Sequence, residues 1–461
     1  MAFSQRNHNP MTRKVSNLTE GNITKNIFSL ALPMIISNAL NIILEITDAF
    51  FVGRLGSEAL AGVTTAGTII FFLGTFGAGL GIGTVALISR AFGEKNFEKA
   101  DHIAVQSLYL GVAIAIFTGL AGFSFSGSLL NFLGAKGKVL EIGSAYLKIL
   151  FIGLFTMFFM FSGNAVFQGA GDTFTPMKIG AISAILNIIL DPILIFGLFG
   201  FPKWEAPGAA IATVFSRTVG GLLMIFVLMR GKNVVHIKLK ENILPDFEVI
   251  KKIFIVGFPG SLQMLLRSFS AVVLTKIVAL FGTVVLAAYG VGGRIFHLFL
   301  FPGFGFGGAS ATLVGQNLGA KNPERAYKSV MLSSFYYFIF LFFTGILVFI
   351  FADSVAKFFN PEKEFVQIAS IYFRYISAGS IFLCLGVVFS QSLQGAGETV
   401  LPMLLTGLTL YVIQIPLAYF LSNHFQLKET GIWIAGFVGS FSNAILMSIA
   451  FFSGRWKHKK I

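Results

Sequence analysis

The chain has 461 residues, of which 55% are hydrophobic and 12% are charged, and its mean hydropathy is +0.81. A soluble domain carries about 25% charged residues, so a water-soluble fold of this length is excluded. The formal net charge of +14 belongs to no basic polar domain, so we expect no nucleic-acid partner. No catalytic triad, paired catalytic carboxylates or phosphate-binding loop is present, so we expect no enzyme. Such a composition predicts an all-α integral membrane protein.

Apolar runs separated by short polar connections predict twelve spanning helices, because about 20 apolar residues cross a bilayer. In chain order they cover residues 26–51, 58–89, 103–130, 142–167, 177–198 and 207–229, and then 252–280, 284–315, 329–351, 365–392, 400–421 and 431–453.

The two halves of the chain repeat each other at a constant offset. QGAGDTFTPM at 168–177 returns as QGAGETVLPM at 394–403, and GEKNFEKA at 93–100 returns as GAKNPERA at 319–326. Each half holds six predicted spans, so both enter the membrane from the same side. We therefore expect two lobes related by a pseudo-two-fold axis along the membrane normal, with a cavity between them, which is typical of transporters.

Basic residues in the connections predict the orientation. Lys and Arg are about three times as frequent in the connections on the side of the N-terminus as in the others, and the richer side is cytoplasmic. We expect a multi-pass protein of the cell (inner or plasma) membrane with both termini in the cytoplasm. The predicted units are a cytoplasmic N-terminal segment 1–25, an N-lobe 26–230, a cytoplasmic inter-lobe loop 231–251, a C-lobe 252–454 and a cytoplasmic tail 455–461.

Four motifs together resemble the multidrug and toxic compound extrusion (MATE) family: VGRLGSEALAGV at 52–63, ISRAFGEKN at 88–96, FQGAGDT at 167–173 and LQGAGET at 393–399. The resemblance implies twelve spans in two lobes around a V-shaped cavity. It also implies the export of small organic cations or amphipathic drugs in exchange for H⁺ or Na⁺. We expect no further cofactor, the lipid bilayer as surroundings, and a monomer.

Three acidic residues lie well within predicted spans, where each costs about 2.5–3.5 kcal/mol on insertion scales: Glu45, Asp48 and Asp191. Asp48 and Asp191 lie at similar depths, about five and seven residues before the outer ends of spans one and five. At about 1.5 Å per residue these depths agree within one turn, so the two carboxylates could face each other. Asn187 lies four residues before Asp191 and hence on the same helix face.

The resemblance extends this pair to a cation or proton site. Archaeal and DinF-like members of the family have a matching pattern in the N-lobe, although this chain has Leu44 where that pattern has a tyrosine. The implied ligands are Asp48, Asn187, Asp191, the Ala209 carbonyl and Thr213, with Na⁺ at Asp48, Asn187, Asp191 and Thr213 as one form of the site.

Further residues are candidates for supporting roles around this site. Tyr146 would join its hydrogen-bond network, and Glu45 would tune it or contact a cationic substrate. Asn41 and Asn164, polar in helix interiors, are candidates for the substrate cavity. Pro33, near the inner end of span one, is a candidate hinge.

Alternatives remain at each level. The acids could instead pair with Arg217 or Lys148 to hold helices together. The C-lobe counterparts of Asp48 and Asp191 are Leu274 and Leu417, which favours coupling through the N-lobe. A rival function is a lipid-linked precursor flippase of the same superfamily, for which Arg267, Lys276 and Arg294 would bind pyrophosphate, and a more distant rival is a passive channel.

Overall fold

A computed structural model describes residues 18–230, 235–236 and 244–461. Most of the predicted N-terminal segment 1–25 and of the predicted inter-lobe loop 231–251 lies outside the described residues. The described part of the chain is almost wholly helical and contains no strand, which confirms the all-α prediction.

The first half of the described chain forms seven helices. They are α1 (Ile23–Gly53), α2 (Ser57–Gly93), α3 (Phe97–Phe132), α4 (Gly137–Ile152), α5 (Leu154–Ala170), α6 (Phe174–Phe196) and α7 (Glu205–Arg230).

The second half follows the same order with two short additions. Its helices are α8 (Phe247–Ala279), α9 (Thr283–Gly319), α10 (Pro323–Ile350), α11 (Ala352–Phe359), α12 (Lys363–Ser380), α13 (Leu383–Gly395), α14 (Val400–Gly407), α15 (Ile415–Asn423) and α16 (Lys428–Phe452), and a π-helical segment, Leu408–Gln414, joins α14 to α15.

Two of the twelve predicted spans are not continuous helices. The predicted span 142–167 bends by 50° between α4 and α5, and its repeat bends by 47° between α12 and α13. At the first bend the chain passes through Gly153, and the Thr156 hydroxyl donates to the Gly153 carbonyl at 2.7 Å. Gly153 caps both the end of α4 and the start of α5. The described helices therefore include ten continuous spans, or twelve if each bent pair counts as one.

The two lobes meet where the second half of α2 packs against α8 and α9. Every residue from 83 to 93 except Arg90 is buried, and so is every residue from 305 to 319. Glycines permit this approach: a Cβ on Gly79 would collide with the backbone of Ser261, whose hydroxyl donates to the Phe76 carbonyl at 2.7 Å. In the other halves of α2 and α9, buried and exposed residues alternate. The cleft between the lobes is thus closed at one end, here called the closed end.

The duplicated QGAG phrase lies at the closed end and makes turns in both lobes. Gly171 and Gly397 have φ values of 89° and 87°, which glycine adopts without strain. The first copy also reaches across the interface, since Gln168 donates to the Gly308 carbonyl at 3.3 Å and accepts at its own carbonyl from Thr312 at 3.1 Å. The phrase is therefore structural in both copies.

The connection that carries the first QGAG turn also supplies a hydrogen bond to α1 near Pro33, where the helix lacks one backbone bond. Pro33 has no N–H to bind the Ser29 carbonyl, one turn earlier. The Thr173 hydroxyl lies 3.3 Å from that carbonyl and 2.9 Å from the Leu30 carbonyl. A side chain of another helix connection thus takes the place of the missing backbone donor.

The C-terminal segment 455–461 closes over the interface between the lobes. Arg90 of α2 donates to the Lys459 carbonyl at 3.0 Å, while the Lys459 ammonium pairs with Glu398 of the second lobe at 2.7 Å. Trp456 is buried and donates to the Phe451 carbonyl at 2.8 Å. This segment therefore contacts both lobes at the closed end.

A larger residue at the glycine contact should separate the lobes. A Cβ on Gly83 would collide with the Ile253 carbonyl, and backbone cannot move aside as a side chain can. We expect Gly83→Val to destabilise the protein by about 1–3 kcal/mol, the usual cost of overpacking, seen as a lower melting temperature in detergent. Gly67→Val on the same helix is the control, since no atom lies within 4 Å of its Cβ position. Equal melting temperatures for the two variants would show that this contact does not hold the lobes together.

Candidate functional site

Two carboxylates from different helices interact inside the first lobe. Asp48 on α1 and Asp191 on α6 lie close enough for their side chains to act directly on each other. Asp191 is fully buried, with 0% of its surface exposed. The sequence prediction that these acids share one depth agrees with this arrangement.

Asn187 connects this acid pair to α7. With its amide nitrogen turned toward Asp48, the side chain donates to Asp48 Oδ1 at 3.0 Å and accepts from the Thr213 backbone N–H at 3.1 Å. The Thr213 hydroxyl donates in turn to the Ala209 carbonyl at 3.0 Å. All five residues predicted as ligands thus come together at the contact of α1, α6 and α7.

Asp191 differs from Asp48 in its hydrogen bonding. No described group donates a hydrogen bond to either carboxylate oxygen of Asp191, which faces the carboxylate of Asp48 instead. A buried carboxylate without a donor is unstable as an anion and gains stability from a proton or a cation. The carboxylate, amide, hydroxyl and carbonyl oxygens around it are the type of ligand that hard cations prefer.

A basic residue that the sequence analysis treated only as a structural partner also belongs to this group. Arg217, one turn beyond Thr213 on α7, lies within electrostatic range of Glu45, Asp48 and Tyr146. It forms no ion pair with a described carboxylate. Its spacing of four residues from Thr213 was a usable signal, because such residues share a helix face. Arg217 therefore offsets part of the negative charge without neutralising the pair.

The other predicted residues differ in burial and in their relation to the acids. Tyr146 is buried and within electrostatic range of both aspartates, but no described hydrogen bond links it to either. Glu45 and Asn41 are exposed along α1, on the face that carries Asp48.

Two polar residues of the first lobe do not join the site. Asn164 lies on α5, and no described contact links it to the acids; its buried carbonyl oxygen has no partner in the described chain. Lys148, one proposed structural partner of the acids, lies instead over the ring of Phe123 at 5.8 Å.

The described residues of the second lobe contain no equivalent acid pair. Leu274, the counterpart of Asp48, packs in an apolar cluster with Val278, Ile432 and Trp433. The segment that corresponds to Asn187 is π-helical. The two lobes share a fold but differ in the chemistry of their interiors.

A cleft between two similar helical lobes, closed at one end and with acids inside one lobe, defines a two-lobed membrane transporter. The sequence profile of the MatE family matches residues 33–193 and 259–420. The chain therefore belongs to the MatE family of multidrug and toxic compound extrusion proteins.

Individual relatives agree with this assignment along nearly the whole chain. A probable multidrug resistance protein NorM of Thermotoga maritima is 28% identical over 444 residues, covering 95% of this chain and 94% of the relative. The multidrug export protein MepA of Staphylococcus aureus is 29% identical over 413 residues, covering 86% and 88%. A crystal structure of MATE in the bent conformation matches with a TM-score of 0.89 at 28% identity, covering 96% of this chain and 97% of that one.

Removing the Asn187 amide should destabilise the acid pair. Asn187→Ala leaves Asp48 without this donor, and a buried group that loses its partner costs about 1–3 kcal/mol. We expect a lower melting temperature of the detergent-solubilised protein. Asn41→Ala on exposed α1 surface is the control and should leave the melting temperature unchanged. If both variants melt like the unmodified protein, Asn187 does not hold Asp48.

Proposed function

We propose that this chain is a secondary active multidrug efflux antiporter, which exports cationic or amphipathic organic compounds while H⁺ or Na⁺ moves inward. The observation that carries the proposal is the buried acid pair, in which Asp191 faces Asp48 and receives no hydrogen bond from a described donor. A charge of this kind inside a membrane protein marks an ion pathway far more often than a structural contact. The multidrug names of the relatives support the substrate class.

In this mechanism Asp191 takes up the driving cation. The Asn187 amide holds Asp48 in place, so that Asp191 is the carboxylate free to accept a proton. If Na⁺ is the driving ion, the oxygens of Asp48, Asp191 and Thr213 and the Ala209 carbonyl supply its ligands. Either ion reduces the repulsion between the two carboxylates.

Neutralisation would then change the packing of α1 against α6. With the acids charged, repulsion and hydration favour a loose contact; with the cation bound, the helices can approach. Pro33 already interrupts the backbone bonding of α1, which makes it the place where the helix can bend. Bending would reshape the cleft and release the drug, and the loaded protein would return to its other state.

The direction of transport follows from the predicted orientation. If the side rich in Lys and Arg is cytoplasmic, the closed end of the cleft faces the cytoplasm and the cleft opens to the outside. The structure would then represent the state that releases drug and takes up the driving cation. We further propose that the protein acts as a monomer in the cell membrane, since both lobes that form the cleft belong to one chain.

Substitution of the acids tests the proposal. Asp48→Asn and Asp191→Asn keep the side-chain shape and remove the charge, and we expect each to abolish cation-driven export of a cationic dye from proteoliposomes. The drive is supplied by a pH gradient and a Na⁺ gradient imposed separately, so the same assay identifies the ion. Asp353→Asn, at an exposed pair with Arg374, is the matched control. Normal gradient-driven export by the folded Asp48→Asn and Asp191→Asn proteins would refute the assignment.

A lipid-linked precursor flippase is the second candidate, because Arg267 has no carboxylate partner in the described second lobe. In that case Arg267→Ala would abolish function while the Asp48→Asn and Asp191→Asn variants would remain active. The opposite pattern supports the antiporter.

A further inference from the structure

The buried face of α8 places one arginine inside the second lobe. Gln263, Arg267, Ser270 and Leu274 are spaced by four, three and four residues, so they share one helix face. Gln263 and Leu274 are buried within the second lobe. The opposite face of α8 packs on the first lobe, where Phe269 meets Phe72 with ring centroids 5.3 Å apart. Arg267, which is itself half-buried, therefore lies on the side of α8 that faces the interior of the second lobe.

The amide next to Arg267 is already saturated. Gln263 donates to Ser390, to Thr406 and to the Pro402 carbonyl at 3.1, 2.6 and 3.2 Å. Its own carbonyl accepts from Gln394 at 2.5 Å. Gln263 is thus held by its own lobe, and no hydrogen bond in the described chain links it to Arg267 one turn away.

Arg267 has no counter-ion of its own. No carboxylate in the described chain lies within ion-pair distance of it. Three residues further on, the buried Ser270 hydroxyl also lacks a partner among the described residues. Beside them the Tyr411 hydroxyl of the π-helical segment donates to the Leu266 carbonyl at 3.0 Å, and π segments often mark functional sites.

The repeat shows what is missing around this arginine. Along α1 the face reads Asn41, Glu45, Asp48 and Val52, and the equivalent positions of α8 are Arg267, Ala271, Leu274 and Val278.

The sixth span of each lobe completes the comparison. Arg217 of the first lobe corresponds to Asn443 of the second. Asn41 and Arg217 of the first lobe thus correspond to Arg267 and Asn443 of the second. Arginine and asparagine are exchanged between the two positions. The arginine of the first lobe has Glu45 and Asp48 within electrostatic range, whereas alanine and leucine replace both acids around Arg267.

We propose that the second lobe contains an anion-binding site in which Arg267 and Ser270 bind the carboxylate or phosphate group of an organic substrate. A guanidinium presents paired donors that match such groups. In the lobe interior it is costly without a counter-charge, and an anionic ligand supplies that charge. The cleft then has an acidic side on α1 and a basic side on α8, and it accepts amphipathic compounds that carry an anionic group as well as cations.

This site deepens the proposed efflux function by adding a substrate class, but it is tested without any ion gradient. The measurement is equilibrium binding, by fluorescence anisotropy, to the full-length protein in lipid nanodiscs. The probes are carboxyfluorescein and rhodamine 123, which share a xanthene ring system and carry opposite charges. We expect Arg267→Gln to weaken carboxyfluorescein binding at least ~10-fold, as for loss of a charged hydrogen-bond partner. Rhodamine 123 binding should stay within about two-fold.

Three further variants distinguish loss of this site from loss of folding and from loss of cation coupling. Ala271→Glu keeps Arg267 and installs the carboxylate that the first lobe has at Glu45, so the new side chain should compete with the anionic dye and weaken its binding. Arg374→Gln removes the same charge from an exposed pair in the same lobe and should change neither dye. Asp191→Asn should retain carboxyfluorescein binding, so a failure of cation coupling remains distinguishable from a failure of this site.

The outcomes separate the possibilities clearly. Displacement of carboxyfluorescein by inorganic phosphate at similar concentrations would show that a free anion occupies the site, and resistance to phosphate would show that the organic anion is its ligand; both support an anion site. The proposal is overturned if the unmodified protein does not bind carboxyfluorescein, if Arg267→Gln and Ala271→Glu leave its binding intact, or if Arg267→Gln weakens both dyes equally.

Discussion

Hydrocarbon contains no water, and this constraint governs the structure. Every polar group within the spans must find a partner inside the protein, so backbone groups pair within helices and side-chain hydroxyls bind nearby carbonyls. Where proline removes a donor from α1, Thr173 of another turn supplies one. The same rule makes exceptions informative: no described donor reaches the carboxylate of Asp191, and no described carboxylate pairs with Arg217 or Arg267.

The two lobes divide the chemistry between them although they share one plan. The closed end depends on contacts that only glycine permits, such as those of Gly79 and Gly83, and both lobes keep the QGAG turn that lies there. The interiors have diverged instead. One lobe gathers carboxylates around an arginine, and the other retains an arginine among apolar and saturated polar side chains. If both proposed sites are present, the two copies of one ancestral bundle bind ligands of opposite charge.

Hydrophobic length and internal repetition predicted the helical architecture, because both can be counted along the sequence without knowledge of the fold. The sequence also brought Asp48 and Asp191 to one depth, since helix rise converts residue counts into distance. It did not predict the bends between α4 and α5 and between α12 and α13. Apolar composition continues through both, and the Thr156 contact that marks the first is visible only in three dimensions.

The sequence analysis missed the role of Arg217, although its spacing of four residues from Thr213 was a usable signal. An arginine in a span could pair with an acid or stand apart from it, and the difference is a few ångströms of side-chain placement. The orientation of the Asn187 amide was not predictable either. Both orientations are compatible with the same sequence, and they differ only in their hydrogen bonds.

The C-terminal segment gives the closed end a property that helix packing alone would not. Lys459 is bound through its carbonyl to Arg90 of one lobe and through its ammonium to Glu398 of the other. Lys459 thus bridges the two lobes. The length of this residue limits how far the lobes can separate before one of its two contacts breaks. Because the Lys459–Glu398 pair is partly exposed to solvent, with 41% and 22% of the two side chains accessible, dissolved salt weakens it. A higher ionic strength on that side of the membrane therefore makes it easier for the lobes to separate at the closed end.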